Sequence, residues 1–274
     1  GDEGEEVHHL DTAELFDAQE SAWRWTGCAF DDDECQGNNM EKARKYPKTV
    51  LLPNGLVLIA GGERNPVIEG DHLGENSSEL FDPSSEDFGS TLAIDTDPDI
   101  NRRYHSQAFL LPDGRVIIAG DDTAADIFGD IDGATYNVYY PAYMSASVRP
   151  TILSSPAPPT TLVWDDVISF NVCVSGISQQ SEFDSVILVR PGSTTPLVDF
   201  DHRQVRLPAH FDGASCGSGG KKIVVDMPDY PQDPGHWRRH VLPPGYYMLI
   251  VRKVNSAGPP IPSGATFVQL SCPD

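Results

Sequence analysis

The sequence predicts an all-β protein in two parts, a set of propeller-type blades over residues 1–145 and a β-sandwich over residues 146–274. Three observations carry this expectation. The 24 Gly and 23 Pro are spread as punctuation between short apolar runs, as many short strands joined by turns require. No long stretch keeps a helical period. One hairpin-shaped motif occurs twice in the first half, whereas the second half reads as separate period-two strands.

The repeated motif runs from Lys48 to Gly62 and again from Gln107 to Asp121, with Leu52 and Leu111, like all their neighbours, 59 residues apart. Each copy is an apolar strand, a Pro-Asn-Gly or Pro-Asp-Gly turn, and a second apolar strand ending in Gly. A further strand accompanies the hairpins: Ala13–Asp17, Ser78–Pro83 and Tyr136–Pro141. Their in-out alternation suits the outer strand of a blade, with Asp-Pro opening the next turn in the second of them. The pattern resembles kelch repeats and implies a partial kelch-like β-propeller of two to three blades, lengthened by acidic loops such as 63–77. A closed propeller needs at least about four blades. Either other parts of a propeller or other chains are therefore expected to cover the blade faces.

After Tyr143 the texture changes. A Pro/Ser-rich junction at 154–161 leads into Val167–Val174, Ser185–Arg190, Lys222–Asp226, Tyr246–Arg252 and Ala265–Leu270, read as period-two strands. Strands at this spacing predict an immunoglobulin-like β-sandwich.

The balance of 19 Lys+Arg against 41 Asp+Glu gives a formal net charge of −22, which argues against nucleic acid as a partner. No apolar run is long enough to span a membrane. Five cysteines stand at 28, 35, 173, 216 and 272. Cys28 and Cys35 bracket a short acidic loop that a disulfide could close, and no Cys-x-x-Cys metal pattern occurs, so an exported, extracellular or cell-surface protein is expected. Asn76-Ser77-Ser78 fits the N-glycosylation acceptor pattern in what reads as a polar loop. The chain starts at Gly1 without a signal peptide, as a processed or partial product would.

Arg102-Arg103-Tyr104-His105, feeding the second hairpin, and the closing stretches 243–251 and 255–263 resemble the galactose oxidase and glyoxal oxidase family of radical-copper oxidases. Residues 40–62 look like its next-to-last blade, 102–143 like its last, and 146–270 like its C-terminal sandwich. That resemblance implies copper held by two tyrosines and two histidines, with one tyrosine bearing a radical through a thioether to cysteine. Tyr104 and His105 match a Tyr-His ligand pair. In the sandwich loop that should carry the other histidine, Thr195-Pro196-Leu197-Val198-Asp199, the ligand position holds Pro196, which cannot bind copper. His202, six residues on, lies about 20 Å away if the segment is extended. Tyr46 has a setting similar to that of the radical tyrosine, yet the repeat makes it a blade position equivalent to His105. No cysteine is placed for the thioether.

The acidic stretches Asp31–Glu34 and Asp126–Gly133 are vaguely like calcium loops but lack the distal Glu and helical flanks of an EF-hand. Gly235–His240 is the most basic and aromatic patch, and its Arg238 and Arg239 could pair with acidic loops of a neighbouring copy. The expected function is an extracellular structural or interaction protein derived from a radical-copper oxidase but without its catalysis. It would assemble with other copies of itself or other extracellular chains into a polymer, filament or surface layer, glycosylated at Asn76 and with no cofactor required. One alternative is a C-terminal fragment of a copper-dependent alcohol or aldehyde oxidase that makes hydrogen peroxide. Another is a carbohydrate-binding module using Trp23, Trp25 and Trp237.

Overall fold

The computed structural model describes residues 10–26, 39–63, 74–89, 92–93, 102–120, 135–163, 169–195, 199–228 and 241–272. Strands β1 (Glu14–Asp17) and β2 (Ala22–Trp25) form a hairpin. Strands β3 (Lys48–Leu51), β4 (Val57–Ala60), β5 (Ser77–Asp82) and β6 (Asp87–Phe88) make one antiparallel sheet, with β7 (Leu92–Ala93) also pairing with β5. A second sheet holds β8 (Gln107–Leu110), β9 (Val116–Ala119) and β10 (Tyr136–Tyr139).

The repeat in the sequence is a repeat in the backbone. Gly55 and Gly114 take φ of +97° and +96° at the same turn position, a conformation that costs glycine no steric energy. In each sheet the residues that share a face bury one side: Val50 and Leu58 in the first, Ala108, Val116 and Ile118 in the second. These two faces form one core, so the sheets stack face to face. The other face of the first sheet, with Ile59 and Phe81, packs against Met40 and Ala13 just before β1. The described sheets thus run in series and do not close into a ring, and a kelch-like propeller is not shown by them.

The sandwich follows. One of its sheets has the order β11 (Thr151–Ile152), β13 (Ser169–Ser175), β19 (Gly220–Asp226), β18 (Ala209–Cys216). The other runs β12 (Thr161–Val163), β22 (Thr266–Ser271), β20 (Gly245–Lys253), β14 (Phe183–Arg190), β17 (Arg203–Leu207), with β21 (Ile261–Pro262) pairing with β20. A small hairpin of β15 (Ser193–Thr194) and β16 (Asp199–Phe200) projects between β14 and β17. Phe170, Val172, Ile223 and Val225 meet Val186, Leu188, Leu249 and Val251 in the main core.

Strands β14 and β20 depart from the alternation expected of them. Ile187, Val189, Met248 and Ile250 are buried on the second face, against Leu110 of β8. Their unbroken apolar runs are those of strands covered on both sides, here on the second side by the sheet that holds Leu110. The Pro112-Asp113-Gly114 turn is gripped at this seam: Ala265 N–H donates to the Pro112 carbonyl at 2.7 Å, Arg149 to that of Asp113 at 3.0 Å, and the Tyr143 hydroxyl to that of Gly114.

Cys173 and Cys216 form a disulfide across β19, the strand that separates β13 from β18. Gly220 makes room for it, since a Cβ there would come within 2.6 Å of the Cys173 sulfur. Cys272 is free and exposed.

Candidate functional site

Each of the two repeated sheets is pinned by a buried arginine just before its first strand. Arg44 donates to the carbonyls of Gly61 at 3.0 Å and Ser77 at 3.1 Å and pairs with Glu79, both side chains fully buried. Glu79 in turn accepts the backbone N–H groups of Glu41 and Lys42. In the β8–β10 sheet Arg102 donates to Thr135 Oγ1 at 2.9 Å, to Asn137 Oδ1 at 2.6 Å and to the Gly120 carbonyl at 3.4 Å. A buried charge is tolerated only when hydrogen-bonded in this way. Arg102 therefore ties the entry to β8 to the start of β10. Its counterpart in role is Arg44, which stands one residue out of the 59-residue register, so the repeat alone does not point to it.

Just after these arginines the chain turns into each strand through a left-handed residue, Tyr46 at φ +58° and His105 at φ +67°. Such a conformation costs a non-glycine residue about 1–2 kcal/mol, and the repeat places it at equivalent positions. Stacking of the two sheets then brings their entry residues together. The Tyr104 ring lies 4.9 Å from that of Tyr46 and 4.1 Å from that of His105, centroid to centroid. The Lys45 ammonium sits 4.5 Å above the Tyr46 ring. Tyr46 and Tyr104 are half-buried and His105 is exposed.

The β15–β16 hairpin reaches this end of the blades. The Lys48 ammonium, on a side chain 1% exposed, donates to the Thr195 carbonyl at 2.6 Å. Asp199 Oδ2 accepts both the backbone N–H and the hydroxyl of Thr49, each at 2.9 Å. Burial pushes the Lys48 pKa below the ordinary lysine value, while Asp199 pulls it back up. The sandwich loop is therefore seated on β3 two residues beyond Tyr46. Pro196 lies outside the described residues.

His202 goes elsewhere. Asp201 takes φ +60° and bends the chain after β16, so His202 turns into a cleft with Val50, Leu51, Phe109 and Leu110, at the turn end of β3 and β8. Tyr46 and His105 stand at the opposite end of those strands, about 15 Å along the chain direction. The imidazole rests on Gly192, where a Cβ would fall 1.6 Å from its Cδ2. Burial lowers the His202 pKa, against a smaller upward pull from Asp199.

The residues present do not fit the copper set that the resemblance implies. Tyr104 and His105 are adjacent, but the ligand position of the loop is occupied by Pro196, which has no donor atom, and His202 faces another part of the seam. Among the described residues no three His, Cys, Asp or Glu side chains come together as a metal-holding group.

The other predicted residues are dispersed. Asn76 is half-buried immediately before β5, and Ser77 and Ser78 are buried within that strand; the sequon abuts a strand and does not lie in a free polar loop. Trp23 and Trp25 are exposed on β2, 67% and 44%. Cys28, Cys35, Trp237, Arg238, Arg239 and the stretches 31–34 and 126–133 lie outside the described residues.

Residues 149–270 match the family profile described as "Galactose oxidase-like, Early set domain". The sandwich is similar to that family's early set domain. Over 240 residues, 85% of the chain, the sequence is 29% identical to a galactose oxidase of Gibberella zeae, covering 30% of that protein. It is 26% identical to the aldehyde oxidase GLOX1 of Arabidopsis thaliana over 77% of this chain and 34% of that one. A WSC domain-containing protein of Arthroderma benhamiae is 29% identical over 80% of this chain and 21% of its own length. The chain thus spans about a third or less of these curated relatives. A solved fungal alcohol oxidase in complex with copper superposes with a TM-score of 0.60 at 21% identity, over 87% of this chain and 45% of that one, a likeness of fold. The similarity to galactose oxidase and to GLOX1 thus extends beyond residues 149–270 into the first half of the chain. No helix among the described residues is long and apolar enough to cross a membrane.

Proposed function

We propose that this chain is a catalytically inactive descendant of the radical-copper oxidases that serves outside the cell as a structural or interaction unit. In this reading its blades belong to a partial kelch-like propeller and it assembles with other copies or other extracellular chains into a polymer or surface layer. The observation that carries the reading is the use made of the β15–β16 loop. Where the resemblance calls for a histidine directed at copper, this chain has Pro196, and the flanking residues Thr195 and Asp199 are committed to Lys48 and Thr49. The loop seats the sandwich on the blades. A net charge of −22 suits a solvated extracellular surface.

Titration of the chain with Cu(II), followed by visible absorption, tests this. The expected result is no tyrosinate-to-copper band and the same copper uptake in wild type, Tyr104→Phe and His105→Ala. Stoichiometric binding with a visible band that Tyr104→Phe abolishes would overturn it.

One observation favours a second reading, a copper-dependent alcohol or aldehyde oxidase that forms hydrogen peroxide: stacking of the blades places Tyr46 against Tyr104, so two phenols and one imidazole share a site. Under that reading a further residue must replace Pro196 as ligand.

A further inference from the structure

His202 is a titratable group set into an otherwise apolar seam. Its cleft is walled by Val50 and Leu51 of β3, Phe109 and Leu110 of β8, and Val189 and Met248 of the sandwich. The ring lies so close on Gly192 that a Cβ there would fall 1.7 Å from Nε2. Among the described residues no hydrogen bond reaches the imidazole. The charged groups around it are engaged elsewhere. Arg190 of β14 turns to the opposite face of its sheet from Val189 and lies over the Tyr247 ring, 5.8 Å from the centroid. Asp201 is shared between Arg190 at 3.6 Å and Arg203 at 3.8 Å. Asp199 commits Oδ2 to Thr49, and Lys48 is bound to the Thr195 carbonyl. The residues of β3, β8 and β20 that line the cleft carry no titratable side chain.

We propose that His202 is an acid-operated latch: neutral, it seats the β15–β16 loop on β3, and protonated, it leaves the cleft and loosens the contact that Asp199, three residues before it, makes with Thr49. A cation in this cleft is cut off from water on its apolar sides. Only Asp199 attracts it, and that carboxylate is the one that holds Thr49. A charged ring that moves out to solvent draws the end of the hairpin with it, and one that turns toward Asp199 competes with Thr49 for the carboxylate. Both movements weaken the same contact. Burial outweighs the pull of Asp199 and holds the imidazole below the ordinary histidine value of 6.5, so the seated loop is favoured at neutral pH and loses that advantage as pH falls through and below about 6.5. A two-strand hairpin docked by a few side chains can open in this way without global unfolding. The latch does not depend on the chain being inactive or on its assembling with other chains.

The reporter is the Thr49 amide, which must leave Asp199 before it can exchange. Hydrogen exchange of the full 274-residue chain, resolved by NMR at about pH 7.5 and about pH 5.5 and corrected for the intrinsic rate, should show the Thr49 amide opening at least about threefold more at the lower pH. Both conditions lie above the ordinary carboxylate range, so Asp199 stays ionised. The Ala265 amide, which bonds Pro112 elsewhere on the seam, should keep its protection. His202→Gln, which cannot take up the proton, should abolish the acid response of Thr49. The wild-type imidazole shift, followed by NMR through the same range, should have the same midpoint as the Thr49 response to within about half a pH unit. This last comparison decides alone if circular dichroism shows that His202→Gln does not fold. Thr49 protection that ignores pH overturns the proposal, as does an acid response that survives in a folded His202→Gln, an equal opening at Ala265, or a midpoint that departs from that of the imidazole.

Discussion

Replacing Lys48 by Met keeps the apolar stem of the side chain and removes only the ammonium. In the structure that group is 1% exposed and donates to Thr195 at 2.6 Å, in a field that includes Asp199. A hydrogen bond to a charged group contributes about 1.5–3 kcal/mol. Against this stands the relief of burying an ammonium, whose cost is visible in the lowered pKa of Lys48. The net loss should be about 1–2 kcal/mol, equivalent to roughly 2–8 °C in Tm for a protein of this size. Scanning calorimetry at neutral pH measures it, with Lys42→Met, an exposed lysine, as a control expected to stay within about 0.5 kcal/mol. If the loop seats one domain on the other, Asp199→Asn should couple to Lys48→Met by at least about 0.5 kcal/mol in a double-mutant cycle. A Lys48→Met chain indistinguishable from wild type, with additive Asp199→Asn, would refute the claim that these contacts hold the domains together.

Three other outcomes follow from particular contacts. Glu79→Gln leaves the buried Arg44 charge without its carboxylate and should cost about 3–5 kcal/mol in urea unfolding, far more than Glu86→Gln at the half-exposed pair with Arg24. Loss of the Cys173–Cys216 disulfide, which spans 43 residues, should cost about 4 kcal/mol by the chain-entropy relation, read as a lower Tm in the Cys173→Ser/Cys216→Ser variant; an unchanged Tm would mean the bond adds nothing. Because burial holds His202 below the ordinary histidine value of 6.5, the unfolded chain takes up the proton first; its contribution is present above about pH 6.5 and is lost as pH falls below it, and His202→Gln should flatten that part of the stability–pH curve.

The hairpins were legible because the same Pro-x-Gly turn and the same apolar flanks occur twice, and local chemistry decides a two-strand unit. The second-face burial of β14 and β20 was written in Val186–Val189 and Met248–Val251 as runs without polar interruption, but those runs were read as alternating strands. Only the docked blades explain them. The Cys173–Cys216 pairing was not legible, because it depends on β19 lying between the two strands and on Gly220 leaving space above it. At the candidate site, Tyr104 and His105 were found from their motif and are adjacent in space. Tyr46 was assigned to a blade position equivalent to His105, and the matching left-handed backbone agrees with that register. Its contact with Tyr104 arises from sheet stacking, which no local pattern encodes. Lys48 was missed altogether: a lysine opening an apolar strand reads as a solvated end until the loop that covers it is known.

Hydrogen peroxide release by the copper-loaded chain, with primary alcohols and aldehydes offered as substrates in air, tests the central claim most directly. The account predicts no peroxide above a protein-free copper blank. Sustained turnover that Tyr104→Phe or His105→Ala abolishes would contradict it and establish the chain as an oxidase.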